Sequence, residues 1–218
     1  METINPATGE KIQAYDVMAD DELNDIIHQA NKAQDHWRKQ SFGDRAECLR
    51  NAADILQNRK QEFAELMATE MGKPLPQGES ESEKCAWVCN YYAENAKDFL
   101  ADETIESDAE KSYVTYNALG TVLAIMPWNF PFWQLFRFAA PALMAGNAVI
   151  LKHAPNVTGC ALAIEEIMHE AGIPEELFRT VVADTDQTQD MITHNGIAAV
   201  TLTGSTRAGK AVAAQAGK

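Results

Sequence analysis

Two observations predict an α/β fold. Ahead of residue 112 the apolar residues recur at the three-four spacing of amphipathic helices; beyond it, short apolar runs at 121–126, 148–152, 178–182 and 198–203 alternate with helical segments at 132–144, 157–171 and 185–194. That order of elements requires parallel strands joined by right-handed crossovers, hence a Rossmann-like parallel sheet with flanking helices, preceded by an amino-terminal helical segment. With 218 residues, 46% of them apolar, the chain can bury a sizeable core, and its length fits one to two domains.

Along the chain, the first hundred residues read as helices. Leu23, Ile26, Ile27, Ala30 and Ala33 mark one helix, with Asp20 as its cap. Leu49, Ala53, Leu56, Phe63, Leu66 and Met67 continue the same spacing until Gly72-Lys73-Pro74 stops it. Trp87, Tyr91, Tyr92, Ala96 and Phe99 mark a third helix, whose aromatics read as core because no basic residues are interleaved for a nucleic-acid backbone. Residues 113–116 and 121–126 are β-prone runs separated by Asn117-Ala118-Leu119-Gly120, which suits a hairpin-like connection. These readings divide the chain into a helical part (1–103), a hairpin-like segment (104–120) and a Rossmann-like part (121–218). Asn147, Pro155, Gly172-Ile173-Pro174 and Gly204 mark changes between elements, and no repeat or low-complexity linker interrupts them.

Charge narrows the partners. Thirty-two acidic against eighteen basic residues give a net charge of -14, which argues against nucleic acid or an anionic membrane as principal partner. No apolar run reaches membrane-spanning length, and Met1-Glu2-Thr3-Ile4-Asn5-Pro6 lacks the pattern of a signal peptide, so a cytoplasmic location is expected. Cys85 and Cys89 can share a helix face, yet no further ligands stand at zinc-site spacing; all four cysteines read as reduced packing residues, with no metal site expected. Neither Cys48 nor Cys160 has a nearby histidine, and neither looks like a nucleophile.

Three strand ends carry the candidate chemistry. Met126-Pro127-Trp128-Asn129-Phe130-Pro131 leads from an apolar strand into a helix, around what reads as a buried amide. The prolines restrict the turn, so Asn129 is placed to donate to a developing oxyanion, or else is an ordinary turn or cap asparagine. Lys152-His153-Ala154-Pro155 follows the second strand, where the lysine either reaches ligand hydroxyls or phosphate, or snorkels into solvent. Residues 203–210, Thr-Gly-Ser-Thr-Arg-Ala-Gly-Lys, pass from strand to helix; free N–H groups there suit an anion, and a capped helix start explains them equally. The same stretch fits the G-x-x-x-x-G-K spacing of a nucleotide P-loop but fails at Ala211, where a magnesium-binding hydroxyl is needed; a nucleotide hydrolase is the alternative enzyme class. No G-x-G-x-x-G follows any strand.

The ordered set Pro127-Trp128-Asn129-Phe130-Pro131, Ala145-Gly146-Asn147 leading to Lys152, and Thr203-Gly204-Ser205-Thr206 resembles the amino-terminal half of the NAD(P)-dependent aldehyde dehydrogenase superfamily. Ile4-Asn5-Pro6-Ala7-Thr8-Gly9 and Met71-Gly72-Lys73-Pro74 are similar to further landmarks; Lys152 to Asn156 with Arg207-Ala208-Gly209 resembles, more narrowly, bacterial succinate-semialdehyde dehydrogenases. The resemblance implies NAD or NADP as cofactor, contacted by Met126, Pro127, Trp128, Asn129, Lys152, His153, Ala154, Pro155, Gly204 and Ser205, with Asn129 stabilising the oxyanion. It implies a small-molecule aldehyde substrate held at Phe130 and by Arg137, whose alternative reading is a surface salt bridge. Pro155 stands where many NAD-preferring relatives carry a glutamate that repels a 2′-phosphate, so NADP is expected to be tolerated. The hairpin-like segment is implied to serve oligomerisation, a homo-oligomer being expected of the complete enzyme. The fold is incomplete relative to the family: the catalytic cysteine domain and its general-base glutamate are not among these residues, and the chain alone is expected to be inactive. The non-enzymatic alternative is a truncated cofactor-binding or assembly module.

Overall fold

The computed structural model describes residues 1–218. Residues at the amino terminus, expected to be helical, instead form an antiparallel hairpin of β1 (Glu2–Ile4) and β2 (Lys11–Ala14). Its loop turns at Gly9 with φ +74°, and Thr3 between the exposed Glu2 and Ile4 is buried: a period-two pattern too short to register beside the helical signal that follows.

Four helices follow. The first, α1 (Asp20–Trp37), begins at Asp20 rather than being capped by it; Ala19 is the N-cap. Asp20 accepts instead from Gln187 Nε2 at 2.7 Å. The single expected helix through Leu49 and Met67 is two, α2 (Phe42–Asn58) and α3 (Lys60–Met71). The break falls at Arg59, whose guanidinium is held by Glu62, Glu166 and Glu170, so tertiary ion pairs override a continuous apolar period. A Ser41–Asp44 capping box starts α2, and Gly72, at φ +74°, ends α3 in the left-handed conformation that glycine adopts without strain. The last of the four, α4 (Leu75–Phe99), crosses α3 at Gly78, where an added Cβ would lie 2.8 Å from Ala64 Cα. On α4 the expectation of an aromatic core is overturned. Trp87 is 59% exposed, and Tyr91 and Phe99 are exposed beside it, forming a mutually packed surface cluster, while Val88, Cys89 and Ala96 face the interior.

The short hairpin of β3 (Glu103–Thr104) and β4 (Tyr113–Val114) stands apart from the main sheet. Tyr113 and Val114 therefore pair with the preceding strand, not with residues 121–126 as the hairpin reading supposed. The main sheet is built from β5 (Thr121–Met126), β6 (Ala148–His153), β7 (Phe178–Val181) and β8 (Ala199–Leu202), all parallel, in the order β7-β6-β5-β8. The intervening helices are α5 (Pro131–Met144), α6 (Thr158–Glu170) and α7 (Thr185–Thr193), and α8 (Thr206–Ala216) follows β8. β5 and β6 are buried along almost their whole length, as central strands covered on both faces must be, which is why their sequences are continuous apolar runs.

One hydrophobic cluster of 46 residues runs from Leu23 to Ile192, so the helices and the sheet share a core. Polar bonds fix their docking: Trp37 Nε1 donates to the Leu143 carbonyl, Gln34 Nε2 to that of Gly146, and Asn31 Nδ2 to that of Gly196, each at 2.9 Å. Buried Asn147 accepts from the N–H groups of Leu119 and Gly120 and donates to the Ala142 carbonyl, tying the end of α5 to the entry of β5. Cys85, Cys89 and Cys160 are packed in the core, as read from the sequence.

The close α3–α4 crossing yields a prediction. Gly78→Ala must part the two helices against a 2.8 Å contact with backbone and is expected to lower unfolding free energy by about 1–3 kcal/mol. An unchanged urea midpoint would show that the crossing relaxes without cost.

Candidate functional site

The strand order contains a topological switch. From β5 the chain passes through α5 to β6 on one side, then through α6 and α7 to β8 on the other side of β5. The crossovers therefore diverge between β5 and β8, and a ligand crevice is expected outside their carboxyl ends.

The β5 end supplies residues 126–131. Met126 is buried and Pro127 half-buried, while Trp128, Asn129 and Phe130 are exposed. The amide of Asn129, read from sequence as buried, is thus at the surface, and it makes no hydrogen bond with the rest of the chain. A neighbouring cleft of about 300 Å³ is lined by Gln77, Ser80, Glu81, Lys84, Phe130 and Trp133. The Lys73 ammonium lies 4.0 Å from the Phe130 ring centroid and that of Lys84 4.1 Å from the Trp133 ring, both within cation–π range.

Two buried carboxylates that sequence reasoning missed organise the helices. Glu81 accepts from the N–H groups of Phe132 and Trp133, both at 2.9 Å, at the start of α5, and forms a buried ion pair with Lys73. Glu70 accepts from Gly159 (2.9 Å) and Cys160 (2.8 Å) at the start of α6. Burial pushes the Glu70 carboxyl up, opposed by those two N–H groups. Nothing in the sequence separates Glu81 from Glu79 and Glu83 around it; the clue was the buried face of the helix that bears it.

Helix starts can therefore be compared by what fills them. Those of α5 and α6 hold carboxylates from other helices, and α7 holds its own Asp184, which accepts from Gln187 N–H at 2.9 Å in a capping box. At α8 the cap is the neutral hydroxyl of Ser205, accepting from Ala208 N–H at 3.2 Å. A Cβ at Gly204 would meet nothing nearer than 3.7 Å, so the glycine leaves open space above this turn. Among the helices that follow sheet strands, α8 alone presents its N-terminal N–H groups and dipole without a negative charge.

The P-loop alternative fails on geometry. A phosphate-wrapping loop would run to Gly209 before its helix starts, but α8 begins at Thr206 and Gly209 N–H already donates to the Ser205 carbonyl at 2.9 Å. Lys210 lies within the exposed helix.

On β6, Lys152 is half-buried at the carboxyl end, next to Val181 of β7, three residues before Asp184. Burial lowers the pKa of Lys152 and the Asp184 charge raises it; the two form no ion pair. His153 is different from its sequence reading. It is buried, accepts from Ala154 N–H through Nδ1 (2.8 Å), and therefore donates from Nε2 to the Pro131 carbonyl (3.0 Å), leaving neither ring nitrogen for a ligand. Its role is to join the ends of β5 and β6. Ala154 is half-buried and Pro155 exposed at the head of a short turn. Arg137, read alternatively as a surface ion pair, makes none; its Nη2 donates to Thr203 Oγ1 at 2.9 Å, spanning α5 and the end of β8. The structure thus brings Asn129, Arg137, Thr203, Gly204 and Ser205 around the switch point, with Lys152 and Asp184 one and two strands away.

Burial holds His153 down, from 6.5 to about 4. Between those values the unfolded chain binds a proton that the folded chain refuses, so stability is lost as pH falls through the window, by up to roughly 3 kcal/mol. His153→Gln is expected to flatten the fall in urea midpoint between pH 7 and pH 4.5; equal slopes in both proteins would place the sensitivity elsewhere.

Comparison with known proteins agrees with this geometry. The aldehyde dehydrogenase family matches residues 1–218. "Probable succinate-semialdehyde dehydrogenase" (NADP(+)) of Synechocystis sp. is 49% identical over 214 residues, covering 98% of this chain and 47% of that protein. Succinate semialdehyde dehydrogenase (NAD(P)+) Sad of Escherichia coli is 43% identical over 215 residues, covering 99% and 46%. The crystal structure of succinic semialdehyde dehydrogenase from Streptococcus pyogenes in complex with NADP+ superposes with a TM-score of 0.96 at 34% identity, covering 99% of this chain and 48% of that one. The chain spans about half the length of the relatives it matches.

Proposed function

The chain belongs to the aldehyde dehydrogenase family, and on that premise we propose that it carries the dinucleotide-binding half of an enzyme that oxidises succinate semialdehyde to the acid, with NAD or NADP as cofactor. The observation that carries this reading is the start of α8 at the switch point, capped only by the neutral hydroxyl of Ser205 and so the one helix start after a sheet strand that no carboxylate occupies. Ser205 and the first N–H groups of α8 hold that group. Lys152 feels the charge of Asp184 but forms no ion pair with it, leaving a donor and an acceptor suited to two ribose hydroxyls. Asp184 also supplies, from the neighbouring strand, the negative charge that Pro155 cannot. Ala154, Pro155, Met126, Pro127 and Trp128 shape the walls, and His153 fixes the strand ends from behind.

When bound, the nicotinamide would supply the hydride acceptor. The chain's own part is to orient and polarise. Asn129, its amide free, donates to the oxygen on which negative charge develops during attack on the aldehyde. Arg137 spends one of its five donors on Thr203 and keeps the rest for the substrate carboxylate, while Phe130 and the adjoining cleft hold the aliphatic stem. None of the four cysteines fits the nucleophile. Burial raises the pKa of every one, so each remains a protonated thiol. A thiolate from outside these 218 residues completes the site, and the chain alone does not turn over. The β3–β4 ribbon, with Ile105, Tyr113, Val114 and Tyr116 exposed, is read as the arm through which copies associate.

Calorimetric titration of the 218-residue chain tests the cofactor half of this proposal. Both NAD+ and NADP+ are expected to bind, and Ser205→Asp, which places a charge at the start of α8, is expected to weaken both at least tenfold. Asp184→Asn keeps the helix cap but removes the carboxylate, and is expected to favour NADP+ over NAD+ by about tenfold relative to the parent, roughly 1.4 kcal/mol. No binding of either dinucleotide would sink the cofactor assignment; an unchanged ratio would remove Asp184 from the ribose site.

The substrate half is tested with the chain joined to a catalytic half. Arg137→Leu is expected to cost roughly 2–4 kcal/mol in kcat/KM with succinate semialdehyde and well under 1 kcal/mol with butanal. Equal losses for the two aldehydes would leave the substrate unassigned.

A further inference from the structure

At the opposite end of the sheet lies a second cleft, about 360 Å³, lined by Arg38, Lys39, Phe42, Arg45, Leu100, Tyr116, Asn117, Ala118 and Ala145. Asn117 and Ala118 lead into the amino end of β5, and Ala145 follows the last turn of α5. β5 has six residues, so the cleft is about 20 Å from the Asn129 turn along the strand direction. It shares no residue with the site above.

Arg45 is the reason to single it out. It is only 5% exposed, yet it makes no ion pair and no side-chain hydrogen bond, and its buried Nε has no partner. Its guanidinium rests on the Phe42 ring, 4.6 Å from the centroid, and lies against Gly146, where an added Cβ would stand 3.0 Å from Nη1. Gly146 itself has φ +90°, so both conformation and space keep a side chain out of this wall. A buried, unpaired cation is costly, and burial alone lowers the Arg45 pKa with no carboxylate opposing it. The protein carries 32 acidic side chains, and none of them pairs with Arg45. Arg38 is engaged by Asp35 at 3.0 Å, Lys39 has no ion-pair partner, and no carboxylate lines the cleft, whose Tyr116 hydroxyl donates outward to Glu103. In a chain of net charge -14, three cations converge on one concave surface whose other walls are the apolar Phe42, Leu100, Ala118 and Ala145 with Tyr116 and Asn117.

We infer that this cleft binds a small organic carboxylate, with Arg45 gripping the carboxylate, Lys39 and Arg38 at its mouth, and the apolar walls holding a short aliphatic body. The volume falls within the range of small-molecule sites. Its position at the amino edge makes it a ligand site separate from the switch-point crevice, so it stands or falls independently of the dinucleotide reading.

The test uses the 218-residue chain in chloride buffer at constant ionic strength, with hexanoate, its neutral counterpart hexanol, and calorimetry plus thermal unfolding as readouts. Hexanoate is expected to bind and to raise the unfolding midpoint, and hexanol to do neither. Arg45→Met is expected to weaken hexanoate binding at least tenfold while its own midpoint in chloride alone is no lower than the parent's, because an uncompensated charge is replaced by an apolar chain of similar length. Lys39→Gln, at an exposed position, is expected to weaken binding severalfold without touching the midpoint. The assignment is overturned if hexanoate fails to bind, if hexanol binds as well, or if Arg45→Met binds hexanoate like the parent. A collapse of the Arg45→Met midpoint in chloride would make the guanidinium a structural group, and Arg45-dependent self-association without hexanoate binding would make a second copy the occupant; either outcome also overturns it.

Discussion

The structure depends on two carboxylates donated by the helical layer to helices of the sheet. Glu81 and Glu70 each neutralise a helix start that would otherwise carry unpaired N–H groups and the positive end of a dipole into the core. Neither contact is local, since they join residues 51 and 89 positions apart. The two differ in their compensation. Glu81 has Lys73 as a buried counter-charge, whereas Glu70 has no ion-pair partner, and burial is the largest influence on its carboxyl, raising its pKa. Because these starts are filled from within, the fold leaves one helix start after the sheet strands, that of α8, without a carboxylate.

Net charge and local charge are separate quantities in this protein. The net charge of -14 describes the solvent-facing surface, but the potential inside a crevice is set by the few charges that line it. At the carboxyl edge these are Lys152 and Arg137; at the amino edge they are Arg45, Lys39 and Arg38. Counting charges along the sequence cannot locate either group.

The sheet was legible because its central strands are buried on both faces and so are written as continuous apolar runs; β5 and β6 were placed to within a residue. The strand-end motifs were legible for the same reason, being fixed points just beyond those runs. What was not legible lay in tertiary context. The helix through Leu49 and Met67 divides at Arg59 because of glutamates more than a hundred residues away, and Trp87, Tyr91 and Phe99 lie on the outer face of a helix whose small residues face inward. Asn129 was correctly placed at a turn but wrongly taken as buried, since two prolines report the rigidity of a backbone and not the cover above it. The Lys73–Glu81 pair was hidden because one partner follows a helix stop and the other sits in an acidic run.

Gly159 draws these points together. An added Cβ there would stand 2.7 Å from Glu70 Oε1, so the start of α6 is shaped around a side chain from α3. The N–H groups of Gly159 and Cys160 at the start of α6 find their partner only in Glu70, and the loop that must close between the two helices is long. The order of assembly is thereby constrained: the sheet's second crossover acquires its native end only when the helical layer docks, so the entropy of closing that loop is met before the contact rewards it. Loosening the seam between layers therefore exposes a helix pole and a buried acid together.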